Sequence, residues 1–318
     1  MVDRESADDI HAAQRFLAQH LHRTPLIRSS SLSDMSGREV YLKLELFQKT
    51  GSYKPRGMAW AIHNLSPEQR DRGVITFSAG NAAQGLAWAA SRQGVKSHVV
   101  MAASANPTKV AATGGYGAEG LLHGTPPEAA IYCDAIARER GLTFISSYDD
   151  AVLMAGHASL GLEILEDLPD VTDIFVGIGG GGMAGGLVCA VEASGSSVRL
   201  HGVEPEGAAA MTKSIDRGVA VRLETVATIA DGLAAPSAGE LCFDLVRRRF
   251  ESVQSIDDDD ILAAMRLLMQ RCKVMAEPAG AAALAGFLKQ SSQNTAGDRV
   301  LCVVSGGNVD LGLLKSWL

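Results

Sequence analysis

One lysine of this sequence lies in a segment that suits covalent chemistry. The segment GSYKPRG spans residues 51–57, and its proline fits the first turn of a helix because the N–H that proline lacks has no helical partner there. Lys54 would then stand at the positive end of a helix beside Arg56. Cationic surroundings lower the pKa of a lysine and favour the free amine that attacks a carbonyl. Taken alone, the segment is still better explained as a surface turn.

Two further segments of small residues are suited to binding anions. SAGNAAQG (residues 78–85) follows one predicted strand, and GIGGGGMAGG (residues 177–186) follows another. Backbone N–H groups at such a strand-to-helix turn can approach an anion closely. The first would suit a substrate carboxylate, although an ordinary turn capped by Asn81 explains it equally well. The second, with four consecutive glycines, makes a nest for a phosphate.

The second glycine segment also admits a dinucleotide interpretation. Gly177, Gly179 and Gly182 satisfy the GxGxxG pattern, and Glu204 ends the next predicted strand, where an acid that binds ribose is expected. A dinucleotide-dependent oxidoreductase is therefore an alternative. It leaves unexplained both Lys54 and Ser305, which begins the segment SGGNVDLG after another predicted strand.

The elements that must position these segments alternate in type. Short β-branched runs begin at residues 40, 74, 97, 143, 173, 198 and 299, and alanine-rich helical stretches separate them. Such alternation predicts an α/β fold with mainly parallel sheets covered on both faces. Ligands of open α/β sheets bind at the carboxyl ends of the strands, which is where the four segments lie.

Composition excludes several classes of function. The net charge is −7 and no basic stripe is present, which argues against nucleic-acid binding. The five cysteines show no CxxC spacing, as expected for reduced thiols of a cytoplasmic protein. The polar N-terminal residues are unlike a signal peptide, and no apolar run is long enough to span a bilayer. We therefore expect a small-molecule enzyme of the cytoplasm that binds neither nucleic acid nor membrane.

In this order, the four segments resemble the fold type II family of pyridoxal-phosphate (PLP) enzymes, and most closely its threonine/serine dehydratases and serine racemases. The resemblance extends from RTPLIRSSSL at residue 23 to SGGNVDL and includes EPAGAAALAG at residue 276. It implies a tryptophan synthase β-like fold of two open, mainly parallel α/β lobes with the cofactor in the cleft between them. Residues 1–50 and 151–318 would form the large PLP-binding domain, and residues 51–150 the small substrate-loop domain.

The resemblance also implies a role for each site residue. Lys54 would bind the cofactor covalently and move the Cα proton of the substrate. Asn81 would bond the 3′-oxygen of the cofactor, Ser305 its pyridine nitrogen, and Glu277 falls at an acidic position near the ring. The remaining implied residues are Tyr53 beside the lysine, Gly179, Gly180, Gly181, Gly182 and Met183 around the phosphate, and Ser78, Ala79, Gly80, Asn81 and Ala82 around the substrate.

The reaction implied is loss of water from a β-hydroxy amino acid such as threonine, serine or a bulkier homologue, which gives a 2-oxo acid and ammonia. A hydroxyl beside the ring nitrogen makes the ring a weaker electron sink and favours elimination. Ala79 replaces the second serine of racemases, which disfavours the racemase alternative, and SAGNAAQG is unlike the loop of β-replacement synthases. Ala82 stands where the family usually has a histidine, so the sequence does not determine which of these substrates is used.

Three further expectations come from the resemblance. A racemase-like cation site would need Glu204, the Ala208 carbonyl and an aspartate where this chain has Ala210, so no metal is predicted. The chain ends just after SGGNVDL, so no regulatory domain is expected. A homo-oligomer, either a dimer or a tetramer, is expected.

Overall fold

The computed structural model describes residues 4–290 and 298–317 as alternating helices and strands. The helices are α1 (Arg4–Ala18), α2 (Ser30–Ser36), α3 (Pro55–His63), α4 (Pro67–Arg72), α5 (Asn81–Arg92), α6 (Pro107–Gly115), α7 (Pro126–Arg140), α8 (Ala151–Asp167), α9 (Gly182–Ser194), α10 (Ala210–Arg217), α11 (Glu240–Arg249), α12 (Asp258–Leu267), α13 (Pro278–Gln290) and α14 (Leu311–Trp317). The strands are β1 (Leu26–Arg28), β2 (Glu39–Leu44), β3 (Val74–Phe77), β4 (Ser97–Met101), β5 (Glu119–Leu122), β6 (Thr143–Phe144), β7 (Asp173–Gly177), β8 (Arg199–Pro205), β9 (Phe250–Ile256) and β10 (Arg299–Val304). None of the helices in these ranges combines the length and the hydropathy that a membrane span requires.

The larger sheet has six strands in the order β1-β2-β10-β7-β8-β9, and β1 pairs with β2 in antiparallel fashion while the other pairs are parallel. Alternate side chains of a strand point to opposite faces of the sheet, and in the central strands the side chains on both faces are buried. Phe175 of β7 packs with α12 and α13, whereas Ile174 and Val176 pack with α8 and α9. Helices therefore cover both faces.

The smaller sheet has four parallel strands in the order β5-β4-β3-β6. Val74 of β3 packs on the side of α3 and α5, and the next residue, Ile75, packs against α7. The two sheets confirm the predicted α/β class with two open, mainly parallel lobes. All four strands fall between residues 74 and 144, inside the predicted small domain, whose bounds at 51 and 150 stay a prediction.

A buried ion cluster joins β2, α3 and α8 at the junction of the lobes. The guanidinium of Arg56 bonds Glu45 and Glu163 at 2.8 Å each, and the ammonium of Lys43 bonds Glu163 at 2.8 Å. Thr24 donates its hydroxyl to Glu45 at 2.5 Å. Burial would raise the pKa of Glu45, but the charge and hydrogen bonds of Arg56 outweigh it and hold that pKa below its ordinary value. The two cations and the two buried carboxylates thus neutralise each other, and the partly exposed Asp167 lies 3.7 Å from Lys43 at the edge of the cluster.

Because the charges balance, removing one of them should strongly destabilise the fold. Glu45→Gln leaves one buried cation uncompensated, which we expect to lower the free energy of unfolding by about 3 kcal/mol or more. Glu166→Gln is the matched control, since Glu166 pairs with Arg23 where both side chains are 49% exposed. That change should cost under about 1 kcal/mol. Urea unfolding measures both, and equal losses would contradict the role assigned to the cluster.

Candidate active site

A short backbone bridge carries the lysine segment to the end of β10. Ser52 and Gly306 pair in antiparallel fashion, and the N–H of Tyr53 donates to the carbonyl of Ser305 at 3.1 Å. The next residue along the chain is Lys54, so the bridge places the amine-bearing residue beside Ser305. The two predicted site residues are 251 positions apart in the sequence and are adjacent in the fold.

Lys54 occupies the N-cap position of α3, with Pro55 as the first helical residue as predicted. Its side chain is half-buried, and its Nζ donates to the carbonyl of Ser147 at 2.6 Å and lies 5.1 Å from the centroid of the Tyr53 ring. Arg56 does not act as the free neighbouring cation that the sequence suggested, because the ion cluster engages its guanidinium.

The helix that carries Lys54 is capped by a residue from another helix. A lysine at the N-cap cannot accept a bond from the first N–H groups of its helix. Instead, the N–H of Gly57 donates to Nδ1 of His157, a fully buried residue of α8, at 3.1 Å. Burial, then the charges of Lys54 and Arg56, lower the pKa of His157 well below its ordinary value. His157 is therefore neutral with its proton on Nε2.

Asn81 begins α5 and faces the large lobe across the cleft. Its Nδ2 donates to Oε1 of Glu277 at 2.6 Å, and its Oδ1 accepts from Nδ2 of Asn308 at 2.8 Å. Burial raises the pKa of Glu277 to about 7, although the bond from Asn81 and the charge of Lys109 lower it and the charge of Asp231 raises it. Asn81 and Glu277, which the resemblance placed around one ring, are thus in direct contact.

The four-glycine turn joins β7 to α9. Gly181 has φ +104°, a conformation that side chains rarely adopt, and it forms the N-cap of α9. A Cβ on Gly180 or Gly182 would overlap Tyr148, so packing as well as anion binding requires glycine here. The first N–H groups of α9 have no partner within the helix and are free for an anion. Met183 buries its side chain in the core, so only its N–H can face an anion.

The substrate loop after β3 divides into open and packed positions. The N–H of Gly80 donates to Oγ of Ser78 at 3.2 Å, and a Cβ on Gly80 would meet nothing within 4 Å. Ala79 is half-buried, whereas Ala82 is buried in the apolar cluster of the small lobe. Ser305 at the end of β10 is also buried, and its hydroxyl donates to the carbonyl of Ala279 at 3.3 Å.

Glu204 has a structural role that the dinucleotide interpretation did not anticipate. Its buried carboxylate accepts from the N–H groups of Met211 and Thr212 at 2.7 Å each, and from the Thr212 hydroxyl. Burial raises its pKa to about 7 despite those bonds. Both oxygens cap α10 inside the fold, so Glu204 is not presented to a ligand as the dinucleotide interpretation requires.

The sequence analysis missed three residues of this site. Asn308, His157 and Tyr148 contact Asn81, the start of α3 and the glycine turn respectively. Only Asn308 carried a signal, since it lies inside the SGGNVDLG segment. The partners of the other two depend on how α8 and the turn before it pack.

The polar groups of this site fit a phosphorylated aldehyde cofactor. A lysine amine, a buried serine hydroxyl, an amide N–H and a glycine turn meet in one cleft. Beside them the hydroxyls of Thr50 and Ser52 are buried and have no hydrogen-bond partner within residues 4–290 and 298–317. Buried hydroxyls without partners are rare, and a polar ligand would satisfy them.

Comparison with known proteins agrees with this fit. A family model described as pyridoxal-phosphate dependent enzyme matches residues 17–306. The chain belongs to this family. It is 39% identical over 308 residues to the L-threonine ammonia-lyase of Thermotoga maritima, which covers 96% of this chain and 76% of the relative.

Two solved structures of PLP-family relatives superpose closely on this chain. Threonine deaminase isoform 2 of Solanum lycopersicum gives a TM-score of 0.94 at 31% identity, over 99% of this chain and 93% of that one. Maize serine racemase gives 0.93 at 35% identity, over 98% and 95%. These similarities confirm the predicted PLP-enzyme family, its cofactor and its fold.

The cap from His157 predicts a pH dependence of stability. The unfolded chain takes up a proton at the ordinary histidine pKa of about 6.5, while the folded chain keeps His157 neutral, so stability falls as the pH drops below 6.5. His157→Asn places an oxygen near the position of Nδ1 and does not titrate. Between pH 7.5 and 5.5 we expect the free energy of unfolding of this variant to fall by about 1 kcal/mol less than that of the unmodified protein. His157→Leu, which has no acceptor, should be less stable throughout, and identical pH slopes in all three proteins would refute the cap.

Proposed function

We propose that this PLP-family chain is a lyase that removes water from L-threonine, L-serine or a bulkier 3-hydroxy amino acid and releases ammonia and a 2-oxo acid. The observation that carries the proposal is the backbone bridge that joins the segment of Lys54 to the segment of Ser305. The names of the T. maritima and S. lycopersicum relatives, a threonine ammonia-lyase and a threonine deaminase, support the reaction class.

In this proposal the residues of the cleft hold PLP from three sides. Lys54 would bind it covalently next to Tyr53, Asn81 and Glu277 would contact its 3′-oxygen, and Ser305 would bond its ring nitrogen. The N–H groups of the glycine turn and of Met183 would hold its phosphate, as those of a helix N-terminus can. Bound there, PLP withdraws electrons from the substrate Cα and makes its proton removable.

The protein residues then direct the outcome. The substrate amine would take the place of Lys54 on the cofactor, and the freed Lys54 amine, half-buried next to the Ser147 carbonyl, would then take the Cα proton. Ser305 offers a neutral hydroxyl rather than a carboxylate, which favours loss of the β-hydroxyl over storage of charge in the ring. The β-hydroxyl would take up one proton, which balances the proton removed from Cα, and leave as water. A second water would then add to the carbon that bears the nitrogen and release ammonia, so each amino acid yields one 2-oxo acid and one ammonia.

The substrate loop supports elimination over racemisation. N–H groups of the loop, with the open side at Gly80, would receive the substrate carboxylate. Racemisation requires a proton donor on each face of Cα, and Ala79 provides none. Because Ala82 is packed in the small-lobe core, the space it leaves near a substrate is small, which favours threonine or serine over a bulkier substrate. A cytoplasmic homo-oligomer, a dimer or a tetramer, stays part of this proposal.

Parallel assays of ammonia and of 2-oxo acid test the proposal. We expect equal amounts of both from L-threonine or L-serine, and D-enantiomer only as a minor product by chiral chromatography. Lys54→Ala should lower the rate by about 10³-fold because a positioned base contributes up to that order. Lys49→Ala, which changes an exposed lysine five residues earlier, is the matched control and should keep the rate.

Three outcomes would contradict the proposal. They are a D-enantiomer that forms faster than ammonia, ammonia without 2-oxo acid, and full activity in Lys54→Ala.

A further inference from the structure

Three polar side chains from separate parts of the chain form one hydrogen-bonded row across the cleft. Asn308 follows β10, Asn81 begins α5 of the small lobe, and Glu277 precedes α13. Asn308 donates to Asn81 at 2.8 Å, and Asn81 donates to Glu277 at 2.6 Å. The row therefore links the two lobes through the side chain expected to contact the cofactor.

The orientation of the Asn308 amide is determined by a backbone group. Its Nδ2 also donates to the carbonyl of Thr50 at 2.7 Å, and a carbonyl can only accept. Both hydrogens of Nδ2 are then in use, one toward Thr50 and one toward Asn81. If the amide were flipped, its oxygen would face the Thr50 carbonyl and repel it. Gly51, at φ +72°, leaves room for this amide, since a Cβ there would overlap the Asn308 side chain.

The orientation of the Asn81 amide follows from that of Asn308. Because Asn308 presents an N–H, Asn81 must present Oδ1 to it and turn Nδ2 toward Glu277. Glu277 takes one of the two hydrogens on Nδ2. No second acceptor for Nδ2 lies within hydrogen-bond distance in the described part of the chain. One N–H donor of Asn81 thus stays available beside Glu277.

We infer that Asn308 is a positioning residue: it determines that Asn81 presents an N–H, rather than its carbonyl oxygen, to the 3′-oxygen of the cofactor. The inference rests on the proposed function, which places that oxygen at Asn81. Without Asn308 only the bond to Glu277 would hold the Asn81 amide, and whenever that amide rotated its oxygen would face a negatively charged oxygen of the cofactor. An N–H donor from Asn81 would stabilise the negatively charged form of the 3′-oxygen, so losing this donor raises the proton affinity of the bound cofactor.

The absorption band of bound PLP reports on this contact without relying on turnover. The test measures the pH at which the band of the unmodified protein, reconstituted with PLP, changes wavelength. In Asn308→Ala we expect this midpoint to rise by about one pH unit, the equivalent of a tenfold change in proton affinity. The charged groups near the row, which are Glu277, Lys109, Asp231 and Asp310, and Lys54 itself are the same in both proteins.

Two further variants separate positioning from a general structural role. Asn81→Ala should shift the midpoint by the same amount, and adding Asn308→Ala to it should cause no further shift, because Asn308 acts only through Asn81. Asn106→Ala is the matched control: its amide joins the small lobe to Asp310 at 3.0 Å without contacting Asn81. It should leave the midpoint unchanged. Should Asn308→Ala fail to fold, Asn308→Leu serves in its place, because it is similar in size, uncharged and without a donor, and the same direction of shift is expected.

The possible results distinguish this inference from the proposed function. If the unmodified protein binds no PLP, the proposed function fails and the inference fails with it. If it binds PLP but Asn308→Ala and Asn308→Leu leave the midpoint unchanged, only the inference fails. Shifts that add in the double variant, or an equal shift in Asn106→Ala, would also overturn the inference. A shift that is shared with Asn81→Ala and absent in the control supports it.

Discussion

The geometry of the site depends on one constraint, the backbone bridge between residues 51–53 and 305–307. Parallel strands end at the same edge of a sheet, but that alone leaves the loops after them free. Here the N–H of Tyr53 and the N–H of Gly307 donate across to Ser305 and Gly51, which fixes the two loops against each other. The bridge determines the positions of Lys54, Ser305 and Asn308, since each of them lies within three residues of a bonded group.

A lysine at a helix N-cap creates a problem that two other elements solve. Because its amine is needed for chemistry, Lys54 does not provide a hydrogen-bond acceptor for the first N–H groups of α3. His157 accepts one of them from α8, and Arg56 anchors the same turn through the buried ion cluster. Buried ion pairs contribute little net stability, but removing one partner is costly. We infer that the cluster serves mainly to hold the turn that carries Lys54 in one position.

The sequence predicted the central strands and the motif residues, and it missed features that depend on packing. All seven predicted strands occur, whereas β1, β5 and β9 were not predicted. Each of these three is an edge strand, and β5, EGLL, is largely exposed and lacks a clear apolar pattern. Motifs located Lys54, Asn81 and Ser305, because their chemistry is local. The neutralisation of Arg56 and the cap by His157 could not be predicted, since both need partners about 100 residues away.

The central claim, that Lys54 is the residue that binds PLP, is tested most directly by borohydride reduction of the PLP-loaded protein and peptide mapping by mass spectrometry. Reduction makes the link between an amine and the cofactor permanent. The account predicts one modified peptide, which contains Lys54, and no modification in Lys54→Ala. A modified peptide at Lys49 or Lys109, or an unmodified chain that nonetheless retains PLP, would contradict it.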